Sequence, residues 1–300
     1  MMGFPMARNT PPAEATISPD LIRALLQEQM PELADLPMEF CGAGWDSEIH
    51  RVGDAHAVRM PRRAQAAQLI ENEQRWLAEL GPVLPLAVPT PLLRGKPAMG
   101  YPWPWSVVPW FDGVVLAHSP PLDQEKLIAD LSGFLNALHI RADADAPIND
   151  VRGIPLGDRD ETTRINLHEC ADIDHDRIET LWGELAATPA WGGEPVWVHG
   201  DLHPLNLIVR GGRLTAVIDF GDITSGDPAT DLSVAWMLFD ADGRNDFRNA
   251  CAIDGRTVDI HTWNRARGWA LSLTLTLLAH SDDNPTMHRI ATATLNQVLG

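Results

Sequence analysis

Lysine is almost missing from this chain: of 300 residues only Lys96 and Lys126 are lysine. Basic chemistry must therefore run mainly through arginine. Cysteine is also sparse. Cys41, Cys170 and Cys251 are widely spaced and form no C-x-x-C pair. That argues against a disulfide framework or a zinc site, and a reducing cytoplasm is the simple reading. Positive charge is short overall, with 23 Lys and Arg against 41 Asp and Glu, a net charge of −18. A phosphate backbone rewards clustered Lys and Arg, so nucleic acid is not an expected partner. The acidity either draws a cationic substrate into a cleft or merely keeps the surface soluble. No apolar run is long enough to span a bilayer. The richest, residues 269 to 279, is broken by Ser272, Thr274 and Thr276 and reads as a core helix. Met1 to Thr10 has no apolar segment of a secretory signal. The expectation is a soluble cytoplasmic protein with no membrane partner and no internal repeat; its oligomeric state stays open.

What is present is a chain 45% hydrophobic, enough for two modest domains or one large one. Residues 1 to 16 read as a loose tail. Ser18-Pro19-Asp20 reads as an N-cap followed by a first-turn proline, opening a helix that Pro31 stops. Residues 40 to 60 read as paired strands with a hairpin at Gly53-Asp54. Residues 64 to 80 read as a helix ended by Gly81-Pro82. Short strands follow near Leu92-Leu93 and residues 106 to 108, then an amphipathic helix over 123 to 138. The charged stretch 141 to 165 reads as a loop, 174 to 187 as a helix, and 229 to 299 as mostly helical. Short β-like runs surround residues 196 to 218.

The chemistry concentrates in Val198-His199-Gly200-Asp201-Leu202-His203-Pro204-Leu205-Asn206 and Ile218-Asp219-Phe220-Gly221-Asp222. Asn206 lies five residues past Asp201, and Asp219 eighteen. Nucleotide-dependent phosphoryl transfer needs a carboxylate beside the acceptor hydroxyl, with an amide and a second carboxylate on magnesium. The kinase set H-R-D-L-x-x-x-N followed by D-F-G supplies these groups in this order. Alone, H-G-D would be a turn with a capping Asp. The fixed offsets of Asn206 and Asp219 select the kinase reading.

The variant H-G-D-L-H-P-x-N resembles the aminoglycoside phosphotransferase family, small-molecule kinases that include macrolide phosphotransferases. The resemblance covers about residues 40 to 240. It implies an α+β, two-lobed protein-kinase-like fold, with a β-rich lobe over 1–112 and a mainly helical lobe over 113–300. Asp201 would orient the acceptor hydroxyl or take its proton, and Asn206 and Asp219 would hold Mg2+. His199 would pack the loop. His203 either touches phosphate or substrate or fills the loop. Asp222 would face substrate or complete the metal shell, and Asp231 would buttress the loop from behind.

The same resemblance gives the nucleotide side. Gly42-Ala43-Gly44-Trp45-Asp46-Ser47 resembles the loop over the phosphates, with Ser47 adding a hydroxyl. No lysine occupies the third-strand V-A-I-K position, so Arg59 is the best substitute, with Arg62 and Arg63 in reserve. Glu73 resembles its helical partner, in competition with Glu71 and Glu79. Pro109 and Phe111 resemble the hinge that hydrogen-bonds the base of ATP or GTP. Trp236, Trp263 and Trp269 either stack on the acceptor or pack the core.

The implied function is O-phosphorylation of a small, cationic molecule, an aminoglycoside or macrolide antibiotic. The alternatives are a metabolic kinase of choline, homoserine or amino-sugar type, and a nucleotide-binding pseudokinase.

Overall fold

The computed structural model describes residues 12 to 281 and 284 to 300. The expectations for Met1 to Pro11 lie outside the described residues. The chain divides into two compact units, one reaching residue 83 and taking up 87 to 112, the other made of 84 to 86 and 113 to 300.

The first unit is an antiparallel sheet ordered β1-β2-β3-β5-β4. Its strands are β1 (Met38–Ala43), β2 (Ser47–Val52), β3 (His56–Pro61), β4 (Leu93–Gly95) and β5 (Trp105–Pro109). Helix α1 (Pro19–Gln29) begins where the Ser18 hydroxyl accepts the Leu21 N–H at 3.2 Å. Its buried Ile22, Leu25 and Leu26 join Val52, Val58, Met60, Trp105 and Val107 in one core. Full burial of each such leucine contributes about 2 kcal/mol. Helix α2 (Ala64–Leu80) buries Ala66, Ile70, Glu73, Leu77 and Leu80 at helical spacing. One carboxylate thus sits inside an apolar stripe. Part of the expected tail is tied down: the Glu14 carboxylate accepts the Ala64 N–H at 3.0 Å, and Ala15 and Ile17 pack on the core.

The second unit is mostly helical. It runs through β6 (Val114–Val115), α3 (Gln124–Leu138), α4 (Asp160–Glu169) and α5 (His175–Ala186). Next come β7 (Val196–Val198), β8 (Leu207–Arg210), β9 (Arg213–Val217) and β10 (Thr224–Gly226). It closes with α6 (Ala229–Leu232), α7 (Ala235–Leu238), α8 (Ala241–Ala250), the hairpin β11 (Ala252–Ile253) and β12 (Arg256–Thr257), α9 (Ile260–His280) and α10 (Pro285–Leu299). The fold class is α+β: an antiparallel sheet, then a largely helical region.

One expectation needs correcting. The stretch 141 to 165 is not all loop, because residues 156 to 159 form a 3-10 turn and α4 starts at Asp160. The helix was hidden because its buried face is polar. Thr163 bonds Ser272 at 2.7 Å, and Asn166 Nδ2 donates to Thr276 at 2.9 Å, both on α9. Such a face carries no apolar periodicity.

Candidate active site

Three glycines make the loop 199 to 222 possible. Gly211 and Gly212, at φ 59° and 77°, turn β8 back onto β9. Leu207 pairs with Val217, so Asn206 and Asp219 flank the open end of one hairpin. Gly200 sits at φ +90°, and a Cβ there would lie 2.4 Å from the Asp222 carbonyl oxygen. No larger residue fits, which is why H-G-D replaces H-R-D here.

Behind the loop, Asp231 is fully buried and accepts the His199 N–H at 2.8 Å and the Gly200 N–H at 2.9 Å. His139 Nε2 lies 3.1 Å from the same carboxylate. His199 is also sealed. Its Nε2–H donates to the Ile218 carbonyl at 3.1 Å, its Nδ1 accepts the Asp201 N–H at 3.2 Å, and its ring packs 4.4 Å from Phe220. This bonding fixes the neutral Nε2–H tautomer, so His199 positions the loop.

Asp201 then stands forward, its side chain one-third exposed at 33%. His203 Nε2 approaches its carboxylate at 3.3 Å, and Arg152 Nη2 at 3.6 Å. Burial would raise the Asp201 pKa, but the charge and hydrogen bond of His203, then the Arg152 charge, hold it well below the usual carboxylate range. His203 moves the other way: burial opposes its charge, yet Asp201 outweighs that and raises its pKa. Asn206 Nδ2 donates to the Asp201 carbonyl at 2.9 Å, which makes Oδ1 the end of the amide available to a cation. Asp219 is exposed and takes a left-handed φ of 64°, a conformation Asp tolerates and that often marks functional loops.

Among the described residues no cluster of three or more His, Cys, Asp or Glu side chains is arranged to hold a metal alone. An amide and a carboxylate at one hairpin end do fit magnesium, which completes its shell with water and phosphate oxygens.

In the first unit, Arg59 on β3 and Glu73 on α2 are both buried, and Nη1 donates to Oε1 at 2.7 Å. Glu71 and Glu79 are exposed, so the buried stripe of α2 selects Glu73. Arg62 and Arg63 hold the glycine loop: Arg62 Nη1 donates to the Gly44 carbonyl at 2.9 Å and Arg63 Nη2 to Asp46 at 2.6 Å. Ser47 opens β2, buried, opposite Pro61. Pro109 ends β5 opposite His56, and Phe111 follows, half-buried. The intervening Trp110 N–H is spent on the Ala55 carbonyl at 2.9 Å.

The model of the phosphotransferase enzyme family matches residues 38 to 269. The chain belongs to that family. A Bacillus subtilis (strain 168) relative, the uncharacterized protein YcbJ, is 25% identical over 200 residues. That match covers 61% of this chain and spans only 62% of the relative's length. The GDP and kanamycin complex of APH(2")-IIIa has a TM-score of 0.68 at 18% identity, covering 92% of this chain and 97% of that one. The macrolide 2'-phosphotransferase MphH from Brachybacterium faecium has a TM-score of 0.66 at 21% identity, covering 92% and 98%. At these identities the likeness establishes the fold alone.

In this family member the loop 147 to 153 carries no motif of its own yet reaches the site. Asn149 Nδ2 donates to Asp222 Oδ1 at 2.8 Å, and Arg152 Nε stands 3.9 Å from Oδ2. Burial raises the Asp222 pKa against the pull of Arg152, and Asp201 adds to the rise. The loop is pinned by Gly153, whose N–H bonds Thr230 at 3.1 Å and whose carbonyl accepts from Asp227 at 2.8 Å. Its one sequence signal was an Arg-Gly pair inside a charged passage. The expected acceptor wall also resolves. Trp236, Trp263 and Trp269 are 4%, 9% and 0% exposed, so all three are core residues.

Proposed function

We propose that this chain is a magnesium-dependent kinase of a small-molecule hydroxyl. The observation that carries the reading is Asp201. It is a partly exposed carboxylate held ionised, with Asn206 and Asp219 flanking the open end of the adjoining hairpin. In the reaction the acceptor oxygen forms a bond to the γ-phosphorus. The bond from that phosphorus to the β–γ bridging oxygen breaks, and a nucleoside diphosphate leaves. Asp201 orients the hydroxyl and takes its proton; positioning matters as much as basicity when the transition state is loose. Asn206 Oδ1 and Asp219 would hold magnesium, which when bound neutralises charge across the β- and γ-phosphates. Arg59, oriented by Glu73, would contact the α- and β-phosphates, beneath the loop ending at Ser47. Pro109, which can only accept, and Phe111 would meet the purine edge of ATP or GTP.

Kanamycin and the macrolide class, named for the structural neighbours, make aminoglycoside and macrolide antibiotics one acceptor class to test. A second reading, a metabolite kinase, is favoured by Arg152. Its cation already lies between Asp201 and Asp222, where a polycationic drug would seat an ammonium group.

The test is diphosphate release with ATP and with GTP over aminoglycosides, macrolides and small hydroxylated metabolites, with Asp201→Asn as control. Nucleotide binding with no transfer to any hydroxyl would favour the pseudokinase alternative and sink this reading.

A further inference from the structure

A guanidinium sealed inside a protein normally has an anion or several carbonyls around it. The second unit holds one arginine that obeys this rule and one that does not. Arg265 on α9 is 2% exposed. Its Nε donates to Asp227 Oδ2 at 2.6 Å, its Nη1 to the Pro189 carbonyl at 2.8 Å, and its Nη2 to Thr262 at 3.1 Å. Arg159, at the end of the 3-10 turn before α4, is 6% exposed. Among the described residues no carboxylate, carbonyl or hydroxyl accepts a hydrogen bond from it, and its Nε is buried without an acceptor. Its Cζ lies 5.9 Å from the centroid of the Trp269 ring, whose own Nε1–H is buried without an acceptor too.

Seven residues before Arg159 is Arg152. Its guanidinium stands 3.6 Å from Asp201 and 3.9 Å from Asp222, and its Nε also lacks an acceptor. Burial first, and then the Arg152 charge, depresses the Arg159 pKa, so the two cations sense one another. Arg152 Nε, Arg159 Nε and Trp269 Nε1 are therefore donors without acceptors, and the Arg152 guanidinium stands against Asp201 itself. In the proposed kinase reading magnesium and its phosphates are given to Asn206 and Asp219, so these donors are not needed there.

We propose that Arg152 and Arg159 form an anion subsite, and that the acceptor carries a carboxylate or phosphate close to the hydroxyl it presents to Asp201. The inference rests on the proposed kinase reading and names its substrate class: a hydroxy acid or hydroxy phosphate. Two guanidiniums suit an oxyanion because each offers a planar fork of N–H donors.

The experiment pairs hydroxy acids and hydroxy phosphates with their neutral amide or alcohol analogues and their amine analogues, at equal ionic strength. Wild type, Arg152→Gln, Arg159→Gln and Arg159→Lys are compared. The expected result is turnover of the anionic members, with the carboxylate and phosphate arms deciding between the two oxyanions. Arg159→Gln should raise the acceptor KM on the order of 10- to 100-fold, more than kcat falls, and leave nucleotide affinity alone. Arg159→Lys should restore part of the loss. Equal use of neutral, cationic and anionic acceptors would overturn the proposal.

A readout without turnover separates this from failure of the kinase reading. Malonate and inorganic phosphate should raise the wild-type Tm but not that of Arg159→Gln. Without anion, Arg159→Gln should melt no lower than wild type, because it removes an uncompensated charge. A variant that melts lower and still responds to malonate would show a merely structural arginine. If no hydroxyl compound of any charge is phosphorylated, the kinase reading fails while the malonate response still decides the anion subsite.

Discussion

The loop 199 to 222 and the loop 147 to 159 both border Asp201, and they are built on opposite principles. In the first, buried partners fix the backbone: Asp231 holds two successive N–H groups, and His199 bridges Ile218 to Asp201. In the second, the backbone is tied through Gly153 and Asn149 while charged and apolar side chains are left over. Ile148 is 81% exposed and Arg159 is buried without a hydrogen-bond acceptor among the described residues. The difference separates chemistry from choice. A reaction shared by many acceptors needs a rigid, fully satisfied frame, whereas recognition keeps groups whose partners arrive with the ligand.

The comparison breaks most sharply at Asp201. Asp201→Ala should lower kcat by about 100- to 10,000-fold while nucleotide affinity, followed by calorimetry, stays close to wild type. Near-normal turnover would remove Asp201 from its role. Next in size is Asp231→Ala, which strips the acceptor from two buried N–H groups. The expected loss is about 3 to 5 kcal/mol of stability by denaturant titration, with activity falling in parallel. A stable but inactive variant would show that Asp231 does more than brace the loop.

A smaller effect concerns pH. Asp201 has a folded pKa below its unfolded value, near 3.9. Its contribution to stability is thus present above that value and lost as pH falls through the lower folded pKa. Asp201 should remain ionised across the working range. His203→Asn removes the leading partner that lowers this pKa, so the acid limb of kcat/KM should shift to higher pH. An unmoved limb would mean that Arg152 alone keeps the carboxylate charged. The smallest effect belongs to Thr163→Val, on the polar face between α4 and α9 rather than on either loop. It should cost about 1 kcal/mol by thermal melting and leave KM unchanged.

Legibility in the sequence follows the same divide. Asp201, Asn206 and Asp219 stand at short fixed offsets because one hairpin joins them, so spacing alone brings them forward as candidates. Glu73 was readable with more effort, as the carboxylate within the apolar stripe of α2. Arg152 and Arg159 could not be read. Their meaning depends on Asp222 and Trp269, dozens of residues away, and the polar face of α4 disguised the element beside them. Arg62 and Arg63 show the converse case. Charge near a phosphate loop suggested reserve ligands, and in the structure both also hydrogen-bond that loop itself.

The Gly211-Gly212 turn has a consequence for how this protein can be altered. It is exposed, and it lies at the far end of the β8–β9 hairpin from Asn206 and Asp219. Because strand pairing near Leu207 and Val217 sets the spacing of those two groups, the tip is free to lengthen. A peptide tag or a reporter could be spliced there as through a side door, leaving the two proposed magnesium ligands in place.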